Sequence, residues 1–265
     1  MTASAHTMTL RYCRRASKIF ASLDRKAAAF GYCVLALGAC FALNWAYQVM
    51  RKPAEIFAPL GDSLSKSYES TWRTYGKLFE EHSTDVLSPE FLAALAQVEG
   101  AGNPVASTYW RWQWSWNPFE IYRPASSAVG MFQITDGTFA EARKYCVRSH
   151  KVMTEGAWYD LNSCWFNRLY SRIIPSHAIE MTAAYLHQAV SDTLAAQRTA
   201  ATLAQKQKLA AVIHLCGPKR GERFVKQRFR VSAGERCGSH GVRDYLSRVE
   251  RAKQRFARLK NATEN

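Results

Sequence analysis

One carboxylate stands out for its setting. Ser88-Pro89-Glu90 reads as a helix start, with Ser88 accepting a backbone N-H, Pro89 in the first turn and Glu90 favoured by the helix dipole. The helix runs to Glu99, and Phe91, Leu95 and Val98 mark its buried side. Glu99 lies four residues beyond Leu95 and eight beyond Phe91, so it projects near that apolar face before Gly100, Gly102, Asn103 and Pro104 end the helix. A carboxyl group against apolar surface is suited to general acid and base work near neutral pH. Alone, the same position is a Glu solvated in a last helical turn.

Two other patterns follow. Trp110, Trp112, Trp114 and Trp116 alternate strictly with Arg111, Gln113 and Ser115, a period of two that predicts a strand with one aromatic face. Such a plate stacks sugar rings or nucleic-acid bases, packs in a core, or sits at a membrane interface. The segment from Ser127 through Gly130, Met131, Phe132 and Gln133 to Thr135 comes next. Asp136 and Glu120 are the candidates for a second carboxylate of the kind hydrolytic glycosidases require. Asp136 is accounted for by capping a helix that begins near Thr138, with Glu141 three residues on.

Glu99-Gly-Ala-Gly-Asn-Pro-Val-Ala-Ser107 followed by Ser127-Ala-Val-Gly-Met-Phe-Gln-Ile134 resembles the SLT-type lytic transglycosylases, relatives of goose-type lysozyme. Pro175 to Leu186 is similar to the family's helix ending in Ala-x-Tyr-Leu. Leu209 to Pro218 sits where its Ala-Tyr-Asn-Ala-Gly-Pro segment belongs, and Asp244-Tyr245-Leu246 is similar to its closing element. The likeness spans roughly Leu87 to Val249. It implies a mainly α, lysozyme-like α+β domain that cleaves the MurNAc-GlcNAc β-1,4 bond of peptidoglycan to 1,6-anhydro products. Glu99 would be acid and then base, and no cofactor, metal or nucleic acid would take part. Ser127, Gly130, Met131, Phe132, Gln133, His214 and Tyr245 would line the cleft. The Trp segment is an insertion unusual for the family; from their alternation alone, Trp112 and Trp114 are expected as sugar platforms, with core packing an equal alternative. Gly100 stands where the family has Ser, and His214-Leu215 where it has Tyr-Asn. The alternative these departures leave is an inactive peptidoglycan-binding scaffold of an envelope complex.

The positioning elements begin at the amino end. Arg11, Arg14, Arg15, Lys18, Arg25 and Lys26 precede a stretch from Ala27 to Met50 without a charge, closed by Arg51 and Lys52. Roughly 20 apolar residues cross a bilayer, so one spanning helix is expected, with the basic residues 1–26 in the cytoplasm and the rest exported. With the family resemblance, that is a single pass through a bacterial inner membrane and a periplasmic domain. Leu37-Gly-Ala-Cys40 also resembles a lipoprotein cleavage box, the alternative being lipid on Cys40.

Residues 51–86 are expected as an amphipathic connector, its helix running from Asp62 to Glu81 with Leu64, Tyr68, Trp72, Tyr75 and Phe79 on one stripe. Residues 87–265 form the catalytic domain. Helical spacing predicts Thr138 to Ser149, Ser163 to Ile173, Ser176 to Ala196, Leu203 to Cys216 and Val242 to Lys260. The exported part holds Cys146, Cys164, Cys216 and Cys237, which suit two disulfides. Short loops close at least entropic cost, so Cys146 with Cys164 and Cys216 with Cys237 is the favoured pairing. His177, His187 and His214 are too dispersed for a metal site and read as surface or core residues. The net charge of +15 favours an anionic partner; sixteen Lys or Arg against four Asp or Glu between residues 205 and 260 read as solvated helix faces.

Overall fold

A computed structural model describes the backbone of residues 3–264 except Glu155, Trp158, Leu161 and Asn162, and the side chains of residues 24–262 except those four and Asp62. Arg11, Cys13, Arg14, Arg15 and Lys18 have side chains outside the described residues. The chain is mainly helical, with three short two-stranded sheets among the described residues. It divides into two compact units, residues 1–53 with 112–123, and residues 54–111 with 124–265.

The first unit is built on helix α1 (Ala3–Arg51). Its part from Asp24 to Arg51 is long and apolar enough to cross a membrane. At about 1.5 Å per residue these residues exceed the hydrocarbon thickness of roughly 30 Å. The helix ends two residues before Pro53, because a residue preceding proline is pushed out of the helical region. The segment from Trp112 to Arg123 folds against it as an arm. Strand β1 (Trp110–Trp112) pairs with β2 (Tyr122–Pro124), and a 3-10 turn, Pro118–Glu120, lies between them. The alternating Trp residues predicted a longer strand, but β1 stops at Trp112. Ser115 Oγ accepts the Asn117 N-H, Asn117 Oδ1 accepts the Phe119 N-H, and Pro118 has no N-H for a ladder.

The second unit holds the core. A 3-10 segment, Pro53–Leu64, precedes helix α2 (Tyr68–Glu81), whose N-cap is Ser67. The predicted helix from Asp62 is therefore shorter at its start. Pro59, and Gly61 at a positive φ of 45°, belong to the earlier segment, and Ser67 begins the regular helix afresh. Trp72, Tyr75 and Phe79 of α2 are buried among Phe91 and Leu92 of α3 (Pro89–Gly100) and Phe256 of α8 (Val242–Glu264). The apolar stripe of the amphipathic connector helix thus packs in this core. Helix α5 (Pro175–Ala196) buries Ile179, Met181, Ala183, Ala184 and Leu186, and α6 (Leu203–Cys216) packs beside it.

Several elements differ from the periodicity. The predicted helix from Thr138 to Ser149 is α4 (Asp136–Ala142) followed by strand β3 (Tyr145–Arg148), paired antiparallel with β4 (Lys151–Thr154) from Tyr145↔Thr154 to Arg148↔Lys151. Ser149 and His150 turn the hairpin, both at positive φ. Glu180 of α5 accepts the Val147 N-H at 3.0 Å, fixing β3 on the core. From Ser163 to Ile173 only a 3-10 turn, Trp165–Leu169, forms, held by Asn167 donating to the Tyr145 carbonyl at 2.6 Å and by the Cys146–Cys164 disulfide. Gly217 stops α6 as expected, and Pro218 at once starts an unpredicted helix, α7 (Pro218–Lys226). Helix α8 continues past Lys260 to Glu264. Strands β5 (Arg236–Cys237) and β6 (His240–Gly241) precede it. The disulfides are Cys146–Cys164 and Cys216–Cys237, the pairing favoured by loop closure.

His82, His177 and His187 sit in or against this core, and burial holds each below the ordinary imidazole value of 6.5. Glu180 acts in the opposite sense on the first two and Asp85 on the third, less strongly. The unfolded chain then binds protons that the folded chain refuses. Stability from these groups is therefore present above about pH 6.5 and falls as the pH drops below it. Urea midpoints measured from pH 7.5 to pH 5 should decline, and His82→Gln should flatten that decline.

Candidate active site

Glu99 lies in the last turn of α3, and the way that helix ends sets the site. Ala101 takes the left-handed conformation at φ 49° as the C-cap, and the Gly102 N-H returns to the Ala96 carbonyl. Gly100 packs directly on the backbone of the Gly130 segment. A Cβ at Gly100 would lie 2.8 Å from Met131 Cα and 2.9 Å from its carbonyl oxygen. A side chain of any kind, a serine hydroxyl included, has no space here. Beyond it, buried Asn103 donates to the Gly61 carbonyl and accepts the Val105 N-H at 3.0 Å. Thr71 donates to Gln97, and Gln97 donates to the Lys66 carbonyl, tying α2 to α3 beside Glu99.

Two distant helices supply the polar groups that face the carboxylate. Tyr245, in the first turns of α8, donates its hydroxyl to Glu99 Oε1 at 2.5 Å. His214 Nε2, in the last turn of α6, lies 3.7 Å from the same oxygen. Tyr245 is buried; desolvation first, and then the adjacent Glu99, push its hydroxyl well above the ordinary value of 10.0. It therefore remains a donor. The Glu99 side chain keeps 17% exposure and borders a cleft of 280 Å³ with Phe57, Ser65, Gln97, Val105 and Gln133. Larger hollows occur elsewhere, one of 590 Å³ between Phe229, Arg230 and Arg243 among others, but neither it nor the 370 Å³ hollow at Tyr185 includes Glu99.

The other expected residues divide by role. Gln133 lines the cleft, at φ 47°, with its amide donating to the Ala106 and Gly130 carbonyls. Gly130 supplies a close approach, because at φ 80° a Cβ there would lie 2.4 Å from the Arg172 carbonyl. Met131 and Phe132 are wholly buried, so their side chains support the cleft wall from behind rather than line it. Ser127 is structural: its hydroxyl accepts the Asp136 N-H and its carbonyl accepts from Arg172. Trp112 and Trp114 belong with α1 in the first unit, and Glu99 belongs to the second. Trp110 is in the second unit, where its indole N-H donates to buried Glu55 at 2.9 Å.

Each candidate second carboxylate has partners of its own. The cap of α4 is Thr135, which accepts the Thr138 N-H, whereas Asp136 sits in the first turn and pairs with Arg172 at 2.8 Å. Glu120 belongs to the first unit, paired with Arg51 and Arg123. His177 stacks on Tyr170, and His187 lies 3.3 Å from Asp85. Sequence reasoning missed Arg172, which donates to the Ser127 and Ile134 carbonyls and packs over Phe139, so that one side chain holds both flanks of the Gly130 turn. No sequence signal separated it from the many other basic residues.

No family model matches the chain, and no curated protein sequence matches it significantly.

Because Gly100 touches backbone that cannot swing aside, Gly100→Ala should lower unfolding free energy by about 2 kcal/mol, as overpacking does. Gly137→Ala, which meets open space, is the control, and denaturant midpoints compare them.

Proposed function

We propose that this chain is a membrane-anchored peptidoglycan lytic transglycosylase with a lysozyme-like fold, held in a bacterial inner membrane by α1 with its catalytic domain in the periplasm. The observation that carries the reading is a lone carboxyl group. Among the described residues, Glu99 is the one acidic residue bordering its cleft, and it is faced by a hydroxyl and an imidazole rather than a second carboxylate. Hydrolysing glycosidases of both stereochemical outcomes place a second carboxyl group across the scissile bond. A single group suffices when the substrate supplies its own nucleophile.

Protonated Glu99 gives its proton to the glycosidic oxygen, and the bond from that oxygen to C1 of MurNAc breaks. The MurNAc 6-hydroxyl then bonds to C1 while its proton passes to the Glu99 carboxylate. The product is a 1,6-anhydro ring, Glu99 recovers the proton it gave, and no water is consumed. Tyr245 fixes Oε1, which leaves Oε2 to face the reacting oxygens. The likeness of Glu99 to Ser107 and of Ser127 to Ile134 to the SLT segments supports the substrate class. The basic surface suits an acidic wall polymer.

Purified sacculi digested with the full chain should release muropeptides whose masses and lack of reducing ends identify anhydro termini. Glu99→Gln should abolish release while leaving the unfolding midpoint in place. Reducing-end products would instead identify a hydrolase, and no products with retained sacculus binding a scaffold. Tyr245→Phe removes a hydrogen bond to a charged group, worth roughly 1.5 to 3 kcal/mol. If that bond orients Glu99 in the transition state, kcat should fall about ten- to hundredfold with little change in KM.

A further inference from the structure

The arm formed by Trp112 to Arg123 is organised by the apolar helix rather than by the cleft. Between Ala27 and Met50, Asn44 and Gln48 are the residues with side-chain amides, and both donate to arm carbonyls: Asn44 to Tyr122 at 2.8 Å and Gln48 to Phe119 at 2.6 Å. Tyr47 stacks on Phe119 with ring centroids 5.2 Å apart, and Phe41 meets Trp112 and Tyr122 edge to face. Leu37, Cys40, Phe41 and Leu43 of α1 face Trp112, Phe119 and Ile121 of the arm across an apolar hollow of 450 Å³. Charges gather at one end, where Glu120 pairs with Arg51 and Arg123.

These contacts fix a depth. Arg51 closes the uncharged stretch, and Asn44 and Phe41 lie seven and ten residues earlier, about 10 and 15 Å along the helix axis. Whatever solvent surrounds α1 at those levels surrounds the arm as well. If that solvent is hydrocarbon, a peptide carbonyl there needs an internal donor, and Asn44 and Gln48 supply one each. In the same arm Trp114 and Trp116 are 96% and 101% exposed, a setting unfavourable in water and favoured at a bilayer interface.

We infer that the Trp112 to Arg123 arm is a lipid-binding element, seated in the outer-leaflet interface of the bilayer that α1 crosses, with Trp114 and Trp116 among the acyl chains and headgroups. This rests on α1 spanning the membrane, and it reassigns Trp112 and Trp114 from sugar platforms to lipid contacts. It does not depend on the reaction at Glu99.

The full chain, with Cys13, Cys33 and Cys40 replaced by Ala, is reconstituted at one copy per nanodisc of phosphatidylethanolamine and phosphatidylglycerol. Nitroxide labels are placed singly at Trp114→Cys, Trp116→Cys, Leu35→Cys and the exposed body site Ala233→Cys. Power saturation with oxygen and with a water-soluble nickel chelate reads their surroundings. Labels at 114 and 116 should lose nickel accessibility and gain oxygen accessibility relative to 233, at a shallower depth than 35. Adding Asn44→Leu with Gln48→Leu should return them toward nickel. Nickel accessibility at 114 and 116 with 35 protected would overturn the arm's assignment alone, and nickel accessibility at 35 would overturn the spanning helix beneath it. Protection that arises only with two copies per disc would show that a second chain covers the arm, and would also overturn the proposal. As a check without cysteine changes, bromine-labelled lipids should quench less of the tryptophan emission in Trp114→Phe with Trp116→Phe than in the parent chain.

Discussion

The hydrogen bond from Tyr245 to Glu99 joins residues 146 positions apart, and the second unit is arranged so that it can form. Its two partners sit on helices that must be immobile against each other. Helix α8 packs along α3, and Phe256 meets Trp72 and Tyr68 of α2, so three helices share one aromatic seam. His214 approaches the same oxygen from the end of α6, whose position follows from the Gly217 stop and the Cys216–Cys237 bridge.

The opposite wall depends on backbone contact. Gly100 and Gly130 allow the end of α3, the turn at Met131 and the Arg172 carbonyl to approach more closely than side chains would permit. Arg172 then binds both flanks of that turn, while Met131 and Phe132 fill the space behind it. The consequence is a cleft wall beside Glu99 built from closely apposed backbone. A side chain at position 100 is thereby excluded by packing, and the polar contact to Glu99 comes from α8.

A different constraint governs the first unit. An apolar helix has little use for amides unless they satisfy something, and here both satisfy carbonyls of one short arm. The alternating Trp residues gave a misleading period because the arm's geometry comes from Asn117, Pro118 and helix α1 rather than from a sheet. A pattern of two reports a strand only where a partner strand exists to hold it, and β2 is three residues long.

Sequence alone was sufficient where the causes are local. Ser88 and Pro89 start α3, Gly217 ends α6, the uncharged run makes the apolar part of α1, and short loops select both disulfides, because capping, dipole, hydropathy and closure entropy act within a few turns of chain or one short loop. Glu99 stood out for the same reason, as a carboxyl group near the apolar face of its own helix. Tertiary structure decided the rest. The split of α4 from β3 turns on Glu180 and Asn167 reaching across from other elements, which no helical period registers. That Tyr245 rather than Ser127 touches Glu99, that Met131 and Phe132 face inward, and that the tryptophans at 112 and 114 join α1 are all outcomes of packing. Each depends on which surfaces meet, and a linear pattern states only which residues are available to meet.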